Sequence, residues 1–148
     1  FSSGKKRNII KIKEQNFSLK ILPLICYEII YSGKLFKSNN FDYILNISED
    51  GWFGNSIGPY QHFAHNIFRS IESGKYILRS TNNGIAAIIN PVGIVEKKIN
   101  LNETDYIDFT ESRKVNQTLF SQYGNKIFGI IILLYIFIIF SFNRIKNE

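Results

Sequence analysis

Cys26 is the residue in this sequence best suited to covalent chemistry, and the chain holds no other cysteine. It closes an apolar, β-branched run, residues 19–25, and a helix-like stretch, residues 28–36, follows it. A strand-to-turn-to-helix junction exposes a nucleophile on a sharp bend. The backbone N–H groups that follow point at any oxyanion formed there. The thiolate is the reactive form, and a helix N-terminus with a nearby lysine favours it. The competing reading is a buried, inert thiol, because free cysteine is among the most buried residue types. Composition alone favours the inert thiol; the junction and the motif around it favour the nucleophile.

Tyr27 contributes a backbone N–H as an oxyanion donor, while its phenol packs. Glu28 stands level between two roles. It is either a first-turn carboxylate that suits the helix dipole or a group that positions a catalytic partner or the substrate. Trp52 and Phe53 lie in a loop with Gly51, Gly54, Gly58 and Pro59. They are too apolar for a solvated loop, so they must bury in a cleft, against a partner or in a bilayer interface, and a shaped loop lining a substrate pocket is expected in preference to core packing. Glu49 and Asp50 read as turn formers. His62 and His65 lie three apart on one helix with no third ligand at a telling spacing, so a surface or packing role outweighs a metal site. No metal or cofactor is expected. Arg79, Asn82 and Asn83 could hydrogen-bond the loop around the site, although turn chemistry alone explains the asparagines.

The elements that must hold these residues alternate. Residues 8–13 and 17–25 read as a hairpin closed by a turn at 14–16. Pro23 points to an edge position or a bulge within the second strand. A helix is expected over 28–37 and a strand over 42–48. The strongest helix covers 59–73, with Phe63, Ala64, Ile67, Phe68 and Ile71 as an apolar stripe, a proline in its first turn and Gly74 at its end. Short strands follow over 75–80, 85–89 and 94–99. The last two are joined by Asn90-Pro91-Val92-Gly93, a type I turn sequence. A further short strand is expected near 106–109.

The net charge of +6 is scattered, without an arginine-rich helix or zinc spacing, so nucleic acid is not an expected partner. A basic surface also suits anionic lipid. The sequence contains no methionine and is expected to be the C-terminal piece of a longer protein. Residues 127–142 carry no charge. Extended back to Tyr123, they approach the length of a membrane span. The expected domains are therefore a catalytic part over 1–120, a transmembrane helix over 123–142 and a cytoplasmic tail over 143–148. Arg144 and Lys146 set that orientation.

Three stretches share a resemblance. Ile25-Cys26-Tyr27-Glu28-Ile29-Ile30 resembles the cysteine elbow of the carbon–nitrogen hydrolase, or nitrilase, superfamily. The run from Asn46 through Glu49-Asp50-Gly51-Trp52-Phe53-Gly54 to Gln61-His62-Phe63 is more particular, as is Leu78-Arg79-Ser80-Thr81-Asn82-Asn83-Gly84. Together with Phe1-Ser2-Ser3-Gly4 they resemble the apolipoprotein N-acyltransferase family. That resemblance implies an α/β fold, a nitrilase-like α-β-β-α sandwich, followed by one transmembrane helix in a bacterial inner membrane, with the catalytic part periplasmic. It implies a Glu-Lys-Cys triad in which Cys26 matches the nucleophile. The family's glutamate and lysine precede the Phe-Ser-x-Gly motif, so neither has a matching position here and the chain alone is expected to be inactive. The implied reaction moves an acyl chain from a phospholipid, through a thioester, to the N-terminal amine of a diacylglyceryl-modified lipoprotein. The alternatives are an amide hydrolase of the same superfamily and a non-catalytic, membrane-tethered remnant.

Overall fold

Strand alternation decides which face of the sheet is buried, because successive side chains point to opposite sides. The computed structural model describes residues 8–15, 17–33, 40–110 and 115–146. Six strands form one sheet in sequential order: β1 (Ile10–Lys13), β2 (Ser18–Ile25), β3 (Tyr43–Glu49), β4 (Tyr76–Asn82), β5 (Ala86–Ile89) and β6 (Val95–Ile99). β2, β3 and β4 are parallel neighbours, while β1 and the β4–β5–β6 meander pair antiparallel. On β2 to β5 one phase of the alternation carries Leu22, Leu24, Ile44, Ile77, Ala87 and Ile89. All of these are buried, with Ile29 and Phe41 joining the same cluster. Helix α1 (Gly58–Ser73) lies over this face, and Phe63 and Ile67 pack against the cluster. The other phase carries Ile25 and Ile47, which stay exposed, and Tyr43 and Tyr76, which pack against Phe109. The described residues thus form one sheet with a helical layer on one face, an open α/β arrangement.

The hairpin forms as expected. β1 pairs with β2 only as far as Ile10 opposite Ile21, so Pro23 lies beyond that pairing and meets β3 alone, opposite Leu45. Proline fits there because it interrupts no ladder on the β1 side. The turn at 90–93 is closed by the Gly93 N–H donating to the Asn90 carbonyl at 2.9 Å. The strand expected near 106–109 does not form, and those residues have no regular secondary structure. The helix expected over 28–37 is a 3-10 turn, Cys26–Ile30, and residues 34–39 lie outside the described residues, as does the motif at residues 1–4.

Two expectations are corrected. On α1 the buried residues are Pro59, His62, Asn66, Arg69, Ser70 and Ser73, while Phe68 is 54% and Ile71 45% exposed. The helix is rotated relative to the apolar stripe read from the sequence: His62 faces Asp50 and the Cys26 carbonyl and Arg69 faces the Ile30 carbonyl, while Asn66, Ser70 and Ser73 donate to carbonyls of α1 itself. The second correction concerns the transmembrane helix. Among the described residues no helix is long and apolar enough to cross a membrane. Helix α2 (Leu119–Tyr123) ends at Tyr123, and Gly124, at φ 54° and ψ −141°, breaks the path before α3 (Lys126–Lys146) begins. The uncharged run cannot then be extended back to Tyr123. Residues 127–142 alone rise about 24 Å, against about 30 Å of hydrocarbon. The periplasmic and cytoplasmic sides inferred from that span lose their basis with it.

Candidate active site

Cys26 is the first residue after β2, and its φ is 48°. A residue with a Cβ rarely enters the left-handed region, at a cost of about 1–2 kcal/mol, and such strain is found where surrounding structure enforces it. Contacts on both sides of the bend enforce it here. Glu28 accepts from the Ile25 N–H at 2.8 Å, which fixes the chain as it enters the bend. The Cys26 carbonyl meets Asn46 Nδ2 and His62 Nε2, each at 3.3 Å. Its Sγ lies 3.6 Å from Ser48 Oγ and 4.0 Å from the Glu49 carbonyl, and the residue is half-buried.

Behind the thiol lies a buried polar network. Asn46 and Ser48 sit on β3 at the phase that elsewhere carries Ile44, so both point into the core side of the sheet. Asp50 follows the same strand. Its Oδ1 accepts from Ser48 Oγ at 2.8 Å and from His62 Nδ1 at 2.8 Å; its Oδ2 accepts from Arg79 Nη2 at 2.5 Å. Arg79 lies on β4 in register with Asn46, donates to the Asn46 side chain, and also donates to the Ile85 carbonyl at 3.0 Å. The Arg79 and Asp50 side chains are fully buried. Burial alone would push the Asp50 carboxyl up. The hydrogen bond from His62, the Arg79 charge and the Ser48 hydroxyl outweigh it and hold the carboxyl below its ordinary value. Burial likewise pulls Arg79 down, opposed by Asp50. Gly84 closes the far side of this network: a Cβ there would collide with Asp50 Oδ2 and Thr81 Oγ1, so the close approach requires glycine.

The expected site residues divide. Cys26 and Glu28 come together at the bend, and Glu28 caps that bend in the geometry of a first-turn carboxylate. Tyr27 is exposed, with its ring 6.0 Å from His62. Phe53 covers the other flank of His62, with ring centroids 5.5 Å apart. Trp52 is 87% exposed on the 3-10 turn Gly51–Phe53. A cavity of about 590 Å³ lies between β4–β6 and residues 102–109; Arg79 and Gly84 of the network line it, and neither Cys26, Trp52 nor Phe53 does. Asp50 and His62, read from sequence as a turn former and as a surface or packing residue, are buried members of the network. Asn46 and Ser48 were not among the expected site residues. The available signal was phase: polar side chains at the buried positions of a strand demand partners. Among the described residues no cluster of His, Cys, Asp and Glu could hold a metal ion.

Comparison with known proteins gives this geometry a context. The chain is 46% identical over 134 residues to an apolipoprotein N-acyltransferase of Rickettsia bellii, covering 89% of this chain and 26% of that protein. It is 39% identical to that of Wigglesworthia glossinidia brevipalpis, over 96% of this chain and 29% of the relative. It is 33% identical to that of Rhizobium rhizogenes, over 88% and 25%. The chain therefore spans about a quarter of the length of the curated relatives it matches. Residues 1–114, well over half of the chain, match the family model for carbon–nitrogen hydrolases, and the chain belongs to that family.

Proposed function

We propose that this chain carries the thiol-bearing part of an N-acyltransferase, with Cys26 as the nucleophile. The observation that carries the reading is the strained bend. A half-buried thiol at φ 48° sits on a fully hydrogen-bonded polar network. Relatives named for apolipoprotein N-acylation support the choice of acyl acceptor. In this reading the thiolate attacks a phospholipid ester carbonyl. A C–S bond forms, the ester C–O bond breaks, and the lysophospholipid leaves with a proton. The free N-terminal amine of a diacylglyceryl-modified lipoprotein then attacks the thioester, forming C–N, breaking C–S and N–H and returning the thiolate, and the amine's proton replaces the one that left with the lysophospholipid. The Tyr27 N–H is the candidate oxyanion donor. Tyr27 and Phe53 lie against the His62 ring, and Trp52 is exposed on the turn beside Phe53. The glutamate and lysine that the resemblance pairs with the cysteine have no matching position in this chain, and the reading places them outside it.

The test is a chimera in which this chain replaces the matching segment of the Rickettsia bellii relative. Given phospholipid and a diacylglyceryl peptide, it should produce N-acyl peptide and lysophospholipid. Release of free fatty acid with no N-acyl peptide would instead establish hydrolysis, with water as the acceptor.

A further inference from the structure

The role of His62 follows from counting its protons. Its Nδ1 is 2.8 Å from Asp50 Oδ1, and its Nε2 is 3.3 Å from the Cys26 carbonyl oxygen. Both neighbours are acceptors. A neutral imidazole has one N–H, so it can satisfy only one of them, while the other contact sets lone pair against lone pair. The remaining neighbours of Nδ1, Ser48 Oγ and Arg79 Nη2, are both at 3.5 Å, too far to displace the Asp50 bond. Both contacts are made together only when the ring carries two protons.

We propose that His62 is a cationic positioning residue for Cys26: an imidazolium that ties the Asp50 carboxylate to the Cys26 carbonyl and places positive charge beside the thiolate. The groups that face it are few. Asp50 from the end of β3 is the anion, and Arg79 from β4 is a second cation on the same carboxylate. Cys26 and Tyr27 approach from the 3-10 turn. His65, on the same helix, is pulled down by burial, Arg69 and His62, so it favours its neutral form. Two cations, His62 and Arg79, then face the one Asp50 carboxylate behind the thiol. The carbonyl contact also explains what holds the backbone at φ 48°. His62 and Asn46 both grip the one peptide oxygen whose direction sets the bend.

The proposal rests on Cys26 being the nucleophile, but its test does not need acyl transfer. The full chain has two histidines and one cysteine, so both signals are clean. Nitrogen-15 NMR of the chain in mild detergent at pH 7 should show both His62 ring nitrogens protonated, with His65→Gln giving the assignment. Iodoacetamide alkylation of Cys26 at the same pH should slow about tenfold in His62→Gln, because the thiolate is the form that reacts. Asp50→Asn, which keeps the ring but removes the anion, should return His62 to a singly protonated ring. A neutral His62 in the native chain overturns the proposal, as does alkylation of His62→Gln with an unchanged rate and pH profile. If His62→Gln does not fold, the ring spectrum of the native chain still decides. An active chimera carrying Cys26→Ala, with His62 doubly protonated, would instead defeat the nucleophile reading and leave the ring assignment standing.

Discussion

Asp50→Asn is the sharpest probe of the network, because it changes one oxygen for an NH2 group and almost no volume. In the native chain the Asp50–Arg79 pair is fully buried, with 2.5 Å between Oδ2 and Nη2. The substitution leaves Arg79 with its two other acceptors, Asn46 and the Ile85 carbonyl, but no counter-charge. A buried cation stripped of its partner costs about 3–5 kcal/mol. Arg79→Met removes the other charge. Asp50 then keeps Ser48 and His62, while Asn46 and the Ile85 carbonyl each lose a donor. In Asp50→Asn with Arg79→Met no buried charge from this pair remains, and the amide oxygen introduced at position 50 still accepts from Ser48 and His62. The double variant should therefore lose less stability than the sum of the single variants, by about 1–3 kcal/mol. Urea unfolding of the four chains in the same detergent, followed by Trp52 fluorescence and far-ultraviolet circular dichroism, measures the cycle. Losses that add within about 0.5 kcal/mol would refute the claim that these two charges hold each other in the fold.

The same carboxylate sets a pH dependence. Asp50 is held below its ordinary value of 3.8 in the folded chain, so its contribution is fully present above about that pH and is lost as pH falls through the lower folded value. Glu72 has the opposite sign. Burial raises it above 4.5, so the stability linked to its protonated form is full below that value and is lost as pH rises through the folded value. Asp50→Asn should flatten the acid limb of a stability–pH curve, and Glu72→Gln should flatten the loss that accompanies rising pH. A curve unchanged by Asp50→Asn contradicts the assignment. At the bend, Cys26→Gly should be more stable than Cys26→Ala by about 1 kcal/mol, because only glycine is at ease at φ 48°. Equal denaturation midpoints for these two variants would mean that the bend is not strained.

Much of the frame was legible before any coordinates. The hairpin, the strand before the glycine-rich loop and the 59–73 helix with its proline start and glycine stop follow from period and punctuation. So does the place of Cys26 at the end of a strand. What the pattern hid has one cause. Periodicity analysis assumes that buried means apolar, and here the buried faces of β3, β4 and α1 are partly polar. Asn46, Ser48, Arg79 and His62 occupy core-phase positions because they satisfy one another around Asp50, a tertiary arrangement that no local window contains. Of the expected α1 stripe, Phe63 and Ile67 pack against the core while Phe68 and Ile71 are exposed. The terminal apolar run was misjudged for a different reason. Hydropathy counted residues across Gly124, and the backbone there breaks the helix. Glu28 was legible only as two equal readings, and in the structure its carboxylate accepts from the Ile25 N–H at 2.8 Å.

The central claim is that the Cys26 sulfur carries the acyl group. Intact-mass spectrometry of the chimera, quenched within seconds of mixing with phospholipid and without an acceptor amine, measures this directly. The expected result is a mass gain equal to one acyl chain. It should map to the peptide containing Cys26, be removed by neutral hydroxylamine and be absent from Cys26→Ala. An adduct of the same mass in Cys26→Ala, or N-acyl product from that variant at the parent rate, would contradict it.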